Sequence, residues 1–222
     1  ISILTTFGIL FSILFEAVEF FQLRSFWYFL TGTIWSPGVA NSQFGALPIF
    51  AGTFVITIIA LLVAIPIGLG SAIYMSEYAS SKLRDYLKPI LEILAGIPTV
   101  VYGFFAAITV APLVVKVAAF FGLEATFNSA LASGIVMGIM IIPLISSLSD
   151  DVIRAVPDSQ RKAAFALGMT HGETIKNIVI PSAMPGIISA SLLALSRALG
   201  ETMIVVMAAG LRPNLSWNPL ED

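Results

Sequence analysis

Five stretches without a single charged side chain, Ile1 to Phe15, Ser25 to Ser76, Ile93 to Val115, Ala125 to Ser149 and Asn177 to Ser196, set what this chain can become. Each approaches or exceeds the roughly 20 apolar residues that carry a helix across a bilayer. In hydrocarbon every backbone donor and acceptor must be satisfied inside the protein, which leaves helices or closed barrels. Barrel strands need short segments of alternating polarity, and these runs are continuous, so helices are predicted. Composition agrees: 58% of residues are hydrophobic and 11% charged, with a mean hydropathy of +0.97. The expected fold is an all-α, polytopic membrane helix bundle with five spans, a single domain over residues 1–222.

Lysine and arginine gather in two places, Lys82, Arg84 and Lys88 in one loop and Arg154, Arg161, Lys162 and Lys176 in another; the intervening loops hold little beyond Arg24, Lys116 and Arg212, and Arg197 lies within the last run's helix. The positive-inside rule makes those two loops cytoplasmic. It places Glu16 to Leu47, Lys116 to Glu124 and the tail after Gly210 outside, and Ser76 to Lys88 and Asp150 to Pro181 inside. The first run has no polar leader and is followed by Glu16 and Glu19 rather than a small-residue cleavage site, so it reads as a span, not a signal peptide. Ile1 starts inside or just before that span, and the polar end at Asp222 leaves an odd number of crossings, so a sixth span is expected beyond it. With no cysteine, neither disulfides nor thiolate metal sites are available. His171 has no second imidazole or acidic cluster beside it in sequence, and no metal site is predicted.

The second cytoplasmic segment reads as a small folded knob. Pro157 closes one element, and Asp158 or Ser159 can cap a helix beginning at Gln160. Ala163, Ala164 and Leu167 fall on one side of that helix, with Arg161 and Lys162 elsewhere. Gly168 permits a bend. Thr170 and Glu173 have capping-box spacing, so a second helix is predicted from Thr170 until Pro181 removes a donor. The plain alternative is a solvated loop between two spans.

In the last span Arg197 and Glu201 stand four residues apart and are expected on one helix face. An arginine at a helix centre costs about 2.5 to 3.5 kcal/mol on insertion scales, so such a residue faces a cavity, a partner or a substrate. Counting from Met184 at roughly 1.5 Å per residue places Arg197 on the order of 20 Å from the cytoplasmic edge. A guanidinium fork matches two oxygens of an oxyanion at once. A structural ion pair facing a partner is the competing reading.

These residues carry a family resemblance. Lys162-Ala163-Ala164, Gly168, Ile178, Ile180 and Pro181 have the spacing of the cytoplasmic loop by which ABC importer permeases grip their ATPases, with Lys162 where the family usually has Glu, which reverses the charge offered there. The run Arg197-Ala198-Leu199-Gly200-Glu201-Thr202 resembles the signature of phosphate-specific ABC transporter permeases, and Met203 is closer to the PstC type than to PstA. Phe44 to Pro48, Ser76 to Ala79 and Ala95 to Gly103 look like the same family, so the resemblance covers almost the whole chain.

The resemblance implies a type I ABC importer permease fold and a permease subunit of an ATP-driven phosphate importer. Arg161, Lys162, Ala163, Ala164, Gly168, Ile178, Ile180 and Pro181, within 150–181, would couple to the ATPase. Arg197, Glu201 and Thr202 would line the substrate path, with phosphate competing against Glu201 for Arg197. The implied partners are a sister permease, ATPase subunits, a periplasmic or extracellular phosphate-binding protein, phosphate and membrane lipid, with no nucleic acid. The setting is a bacterial or archaeal inner membrane. There are no catalytic residues and no cofactor in this chain, since no G-x-x-x-x-G-K-[ST] loop occurs; ATP and magnesium belong to the ATPase. Molybdate or sulfate as cargo, or a carrier that works without ATP, are the rival readings.

Three weaker signals remain. Pro66, Pro98, Pro112, Pro143 and Pro185 lie in or beside spans, and Gly134 and Gly138 form a GxxxG, which reads as close packing. Ser133, Ser146 and Ser189 are expected to bond their own backbone. The aromatic segment Phe20 to Trp35 reads as an interfacial helix rather than a docking site for a binding protein.

Overall fold

In a computed structural model, residues 2–38, 42–210 and 214–220 are described, so the expectations attached to Ile1, Arg212 and Asp222 lie outside the described residues. The apolar runs form helices. Among the described residues, Ile3–Leu23, Leu47–Tyr78, Thr99–Phe120, Ala130–Ala155 and His171–Leu199 are long and apolar enough to cross a membrane. The protein is a multi-pass membrane protein. The contacts divide it into two compact units, the described residues of 1–52 with 212–217, and those of 53–211 with 218–222.

In the first unit, helix α1 (Ser2–Leu23) continues past the predicted exit at Phe15 and carries Glu16 and Glu19. Only part of the predicted interfacial helix forms, as α2 (Phe26–Thr31). After it, Trp35–Ser36 (β1) pairs antiparallel with Gln43–Phe44 (β2), a minimal ladder that an all-helical reading omits. The aromatic rings hold this segment together. Phe20 meets Phe29 and Phe44 edge to face at 5.8 and 5.5 Å, and Trp35 meets Phe44 at 5.9 Å. Edge-to-face pairs put the positive rim of one ring on the negative face of another. Arg24 lies 5.6 Å from the centre of the Phe44 ring. Gly32 and Gly45 cross with backbones in contact, since a Cβ on Gly32 would stand 2.6 Å from the Gly45 Cα.

The second unit holds α3 (Leu47–Ile73) from Thr53 onward, α4 (Ser81–Ala95), α5 (Thr99–Phe105), α6 (Ala111–Phe120), α7 (Ala130–Arg154), α8 (Asp158–Ala166), α9 (His171–Thr174), α10 (Ile180–Leu199) and α11 (Met203–Ala208). Helix α7 is its centre, with Val136, Met137, Ile141 and Ile145 fully enclosed. Small residues let the neighbours approach. A Cβ on Gly134 would meet Ile59 at 2.7 Å, one on Gly138 would meet the Ala60 carbonyl and the Val63 Cβ at 2.9 Å, and one on Gly68 would meet Ile145 at 2.9 Å. The GxxxG pattern is therefore the seam between α3 and α7, where dispersion contacts replace the absent hydrophobic drive between helices in lipid.

Among the described residues three single π turns occur in the spans, one ending the second at Tyr74–Tyr78 and two within later ones at Ala106–Val110 and Ile175–Val179. The last two share a cause. Each ends two residues before a proline, Pro112 or Pro181, whose ring would strike the carbonyl four residues back in an uninterrupted α-helix. Widening the turn moves that carbonyl aside, and the bonds become Ala111 N–H to Ala106 O and Ile180 N–H to Ile175 O. Pro181 therefore does not end the knob's second helix as predicted; His171–Leu199 is continuous. Of the serines, Ser133 donates to Ser129 O and Ser189 to Pro185 O, as expected, whereas the buried Ser146 hydroxyl has no partner.

Replacing Gly138 by Ala is expected to push α3 and α7 apart and cost about 1–3 kcal/mol. Gly70→Ala, with nothing within 4 Å of its new methyl, is expected to be neutral or stabilising. Thermal unfolding of the two variants in detergent checks the contrast.

Candidate functional site

Both basic segments meet at one end of the second unit. Helix α4 begins at Ser80, whose hydroxyl accepts from the Leu83 amide at 3.4 Å, and it lies against α7. The sequence reading left Ser76 to Lys88 as a loop. The missed signal is a face made of Arg84, Leu87, Lys88 and Leu91, in which cations stand where apolar residues are usually counted. They point at acids. Arg84 donates to Asp150 Oδ2 at 2.7 and 3.2 Å through Nη2 and Nε, and Lys88 donates to Asp151 Oδ1 at 2.6 Å. Asp150 is 1% exposed and Asp151 52%.

The knob follows. Helix α8 starts at Asp158 after Pro157, with no side-chain cap, rather than at Gln160 as expected; a first-turn aspartate suits the positive end of a helix. It ends by turning left-handed at Gly168 (φ +85°), which lets the Met169 amide reach the Ala164 carbonyl at 3.1 Å. Thr170 then caps α9. Its hydroxyl accepts from the Glu173 amide at 3.4 Å while the Glu173 carboxylate accepts from the Thr170 amide at 2.8 Å. The predicted capping box is present.

Between α8 and the start of α10 lies an open groove of about 560 Å³, lined by Ala163, Ala164, Leu167, Ile178 and Pro181 among others. Ser182 donates to the Gln160 side chain at 3.1 Å, tying its two walls. Ala163 and Ala164 are thus brought together with Ile178 and Pro181, fourteen or more positions further along the sequence. Lys162 is exposed at the side, Gly168 forms the bend, and Ile180 is half-buried away from the groove lining.

Arg161 turns inward instead. Its Nη2 donates to Glu77 Oε1 at 2.9 Å and to the Ile153 carbonyl at 3.0 Å, and its Nη1 to the Val156 carbonyl and to Asp158 Oδ1 at 3.3 Å. His171 stacks on Phe165 and meets Tyr78 edge to face, with Nε2 3.9 Å from Glu77 Oε2. Glu77 and Asp150 are the polar groups here that sequence reasoning did not select.

At the far end of α10 the expected pairing is overturned. The helix stops at Leu199 with Gly200 as its cap, so Arg197 and Glu201 do not share a helix face. Each charge instead serves a helix end. Arg197 sits in the last turn of α10, against the negative end of its dipole, while Glu201 Oε1 accepts from the amides of Met203 at 3.0 Å and Ile204 at 3.4 Å at the start of α11. Arg197 is exposed, and among the described residues no carboxylate lies within 4.0 Å of it. Thr202 precedes α11 and is exposed. Helix α11 packs on α5, where a Cβ on Gly103 would stand 2.8 Å from the Met207 sulfur.

Residues 64–214 match the family described as binding-protein-dependent transport system inner membrane component. The chain is 37% identical over 193 residues to the probable ABC transporter permease protein YqgH of Bacillus subtilis, covering 87% of this chain and 61% of that protein. It is 34% identical over 212 residues to the phosphate transport system permease protein PstC 1 of Mycobacterium tuberculosis, covering 82% and 63%. To PstC of Xylella fastidiosa (strain Temecula1) it is 33% identical over 220 residues, covering 92% and 67%. The chain thus spans less than two thirds of the length of YqgH and of PstC 1. Among solved structures, inward-facing MetNI methionine ABC transporter aligns with a TM-score of 0.53 at 20% identity, covering 70% of this chain and 68% of that one. The fold is that of a type I ABC importer permease.

The two acids on α7 should separate in stability. Asp150→Ala leaves Arg84 facing a buried gap and is expected to cost about 3 kcal/mol. Asp151→Ala removes an exposed pair and is expected to cost under ~1 kcal/mol. Denaturation midpoints measured in one detergent compare them.

Proposed function

The chain belongs to the family of binding-protein-dependent transport system inner membrane components, and we propose that within it this chain is a permease subunit of an ATP-driven phosphate importer. The observation that carries the substrate is the identity of 33% over 220 residues with a phosphate transport system permease. The groove at Ala163, Ala164, Ile178 and Pro181 supports the rest, because it offers an apolar, concave seat on a knob rich in arginine and lysine. That is the end the positive-inside rule assigns to the cytoplasm.

In this reading the chain sits in the inner membrane and works as one domain, with 150–181 as its coupling element. A sister permease completes the path, a binding protein delivers phosphate from outside, and ATP with magnesium is bound and hydrolysed by separate ATPase subunits seated on the knob. No bond is made or broken by this chain. Closure of the ATPases displaces the knob, the knob tilts the spans, and the path opens to one side and then the other. Arg197 receives the anion: its fork can bond two phosphate oxygens, and among the described residues no carboxylate lies within 4.0 Å of it. Glu201 then has a role apart from gating, holding the α10–α11 break at the correct angle, and Thr202 contributes a hydroxyl beside it.

The test is the complex reconstituted in vesicles with its ATPase, sister permease and binding protein. Phosphate, and not molybdate or sulfate, is expected to stimulate ATP hydrolysis. Stimulation by another oxyanion alone would replace the cargo, and uptake in vesicles lacking the ATPase would end the importer reading. Arg197→Gln is expected to lower phosphate uptake roughly 10- to 100-fold, the equivalent of losing one charge-assisted contact, with assembly unchanged.

A further inference from the structure

We infer that Glu77 is a positioning residue that hooks the second span, Leu47–Tyr78, to the knob, so that displacement of the knob reaches that span; this rests on the importer reading above. Glu77 lies in the π turn that ends the span and is 7% exposed, so its carboxylate has little water to compensate it. Its partner is Arg161, 84 positions away.

The remaining bonds of Arg161 are local. Ile153 offers a carbonyl in the last turn of α7 and Val156 one just beyond it, and Asp158 opens α8. Arg161 therefore caps α7 and starts α8 whether or not Glu77 is present. Among the described residues, only the bond to Glu77 reaches another span. Beside it lies a polar cavity of about 430 Å³ between the end of the second span and the knob, lined by Ser76, Arg84, Arg154 and Asp158 as well as the pair itself. One turn earlier Ala72 packs with Ile153, Val156, Val179, Ala183 and Ile187, and Met75 is buried within the π turn itself. At the tip the connection is the ion pair together with the ring of His171 against Tyr78. An ionic hook over a polar cavity can hold through a change of angle that a packed apolar contact would resist.

Substitution at Glu77 separates this role from folding, because the knob keeps its capping box, its groove and the local bonds of Arg161. In the reconstituted importer, phosphate taken up and ATP hydrolysed are measured together, with subunit stoichiometry by co-purification. Glu77→Ala is expected to leave assembly and ATP hydrolysis intact while phosphate moved per ATP falls roughly 2- to 30-fold, the range of coupling energies of this kind. Glu77→Asp, which keeps the charge on a shorter stem, is expected to restore part of the ratio, and Glu77→Gln less. An unchanged ratio in Glu77→Ala, or loss of the ATPase from the complex, overturns the inference. Failure of the unsubstituted complex to couple ATP to phosphate uptake overturns the importer reading itself, and the inference with it.

Discussion

The carboxylate of Asp150 decides where α4 lies. It is enclosed near the C-terminal end of the central helix, and a buried charge without a partner costs several kcal/mol, so Arg84 must come to it. Bringing Arg84 there swings α4 across the end of α7, and Lys88 follows onto Asp151 one turn along. The chain then returns through α5 with its entry point fixed. Apolar packing along α7 holds the spans of the second unit together, but it has no direction of its own; the acids at its tip supply one.

Much of the fold was legible because hydrocarbon leaves so few options. Charge-free runs of span length had to become helices, and among the described residues five helices of span length form. Their limits were less legible. Helix α1 runs on through Glu16 and Glu19, and α4 hid behind cations that serve as its inward face. Pro181 was misjudged for a physical reason: a proline need not stop a helix, as Pro66 and Pro143 inside α3 and α7 show, and here the preceding turn widens, which no residue type announces. The same accommodation at Pro112 shows that proline two residues beyond such a turn is tolerated here twice.

The candidate site divides similarly. Capping at Thr170 and Glu173 and the bend at Gly168 were visible, because each is a local rule written within a few residues. The gathering of Ala163, Ala164, Ile178 and Pro181 followed from those rules. Partners distant in sequence did not. Glu77 meeting Arg161 and Asp150 meeting Arg84 depend on how spans pack, which spacing cannot express. The Arg197–Glu201 pair failed for the opposite reason: a four-residue interval implies one face only where the helix is unbroken, and Gly200 breaks it.

One continuous helix joins the capping box at Thr170 to the turn that holds Arg197, 29 residues from His171 to Leu199. At 1.5 Å per residue it is a rod roughly 40 Å long, and a swivel of ~5° about one end sweeps the other through about 3 Å. That sweep exceeds the tolerance of a hydrogen bond. A lever with the capping box at one end and a guanidinium at the other carries any pivot of the knob to Arg197 undiminished, with no intervening loop to absorb the stroke.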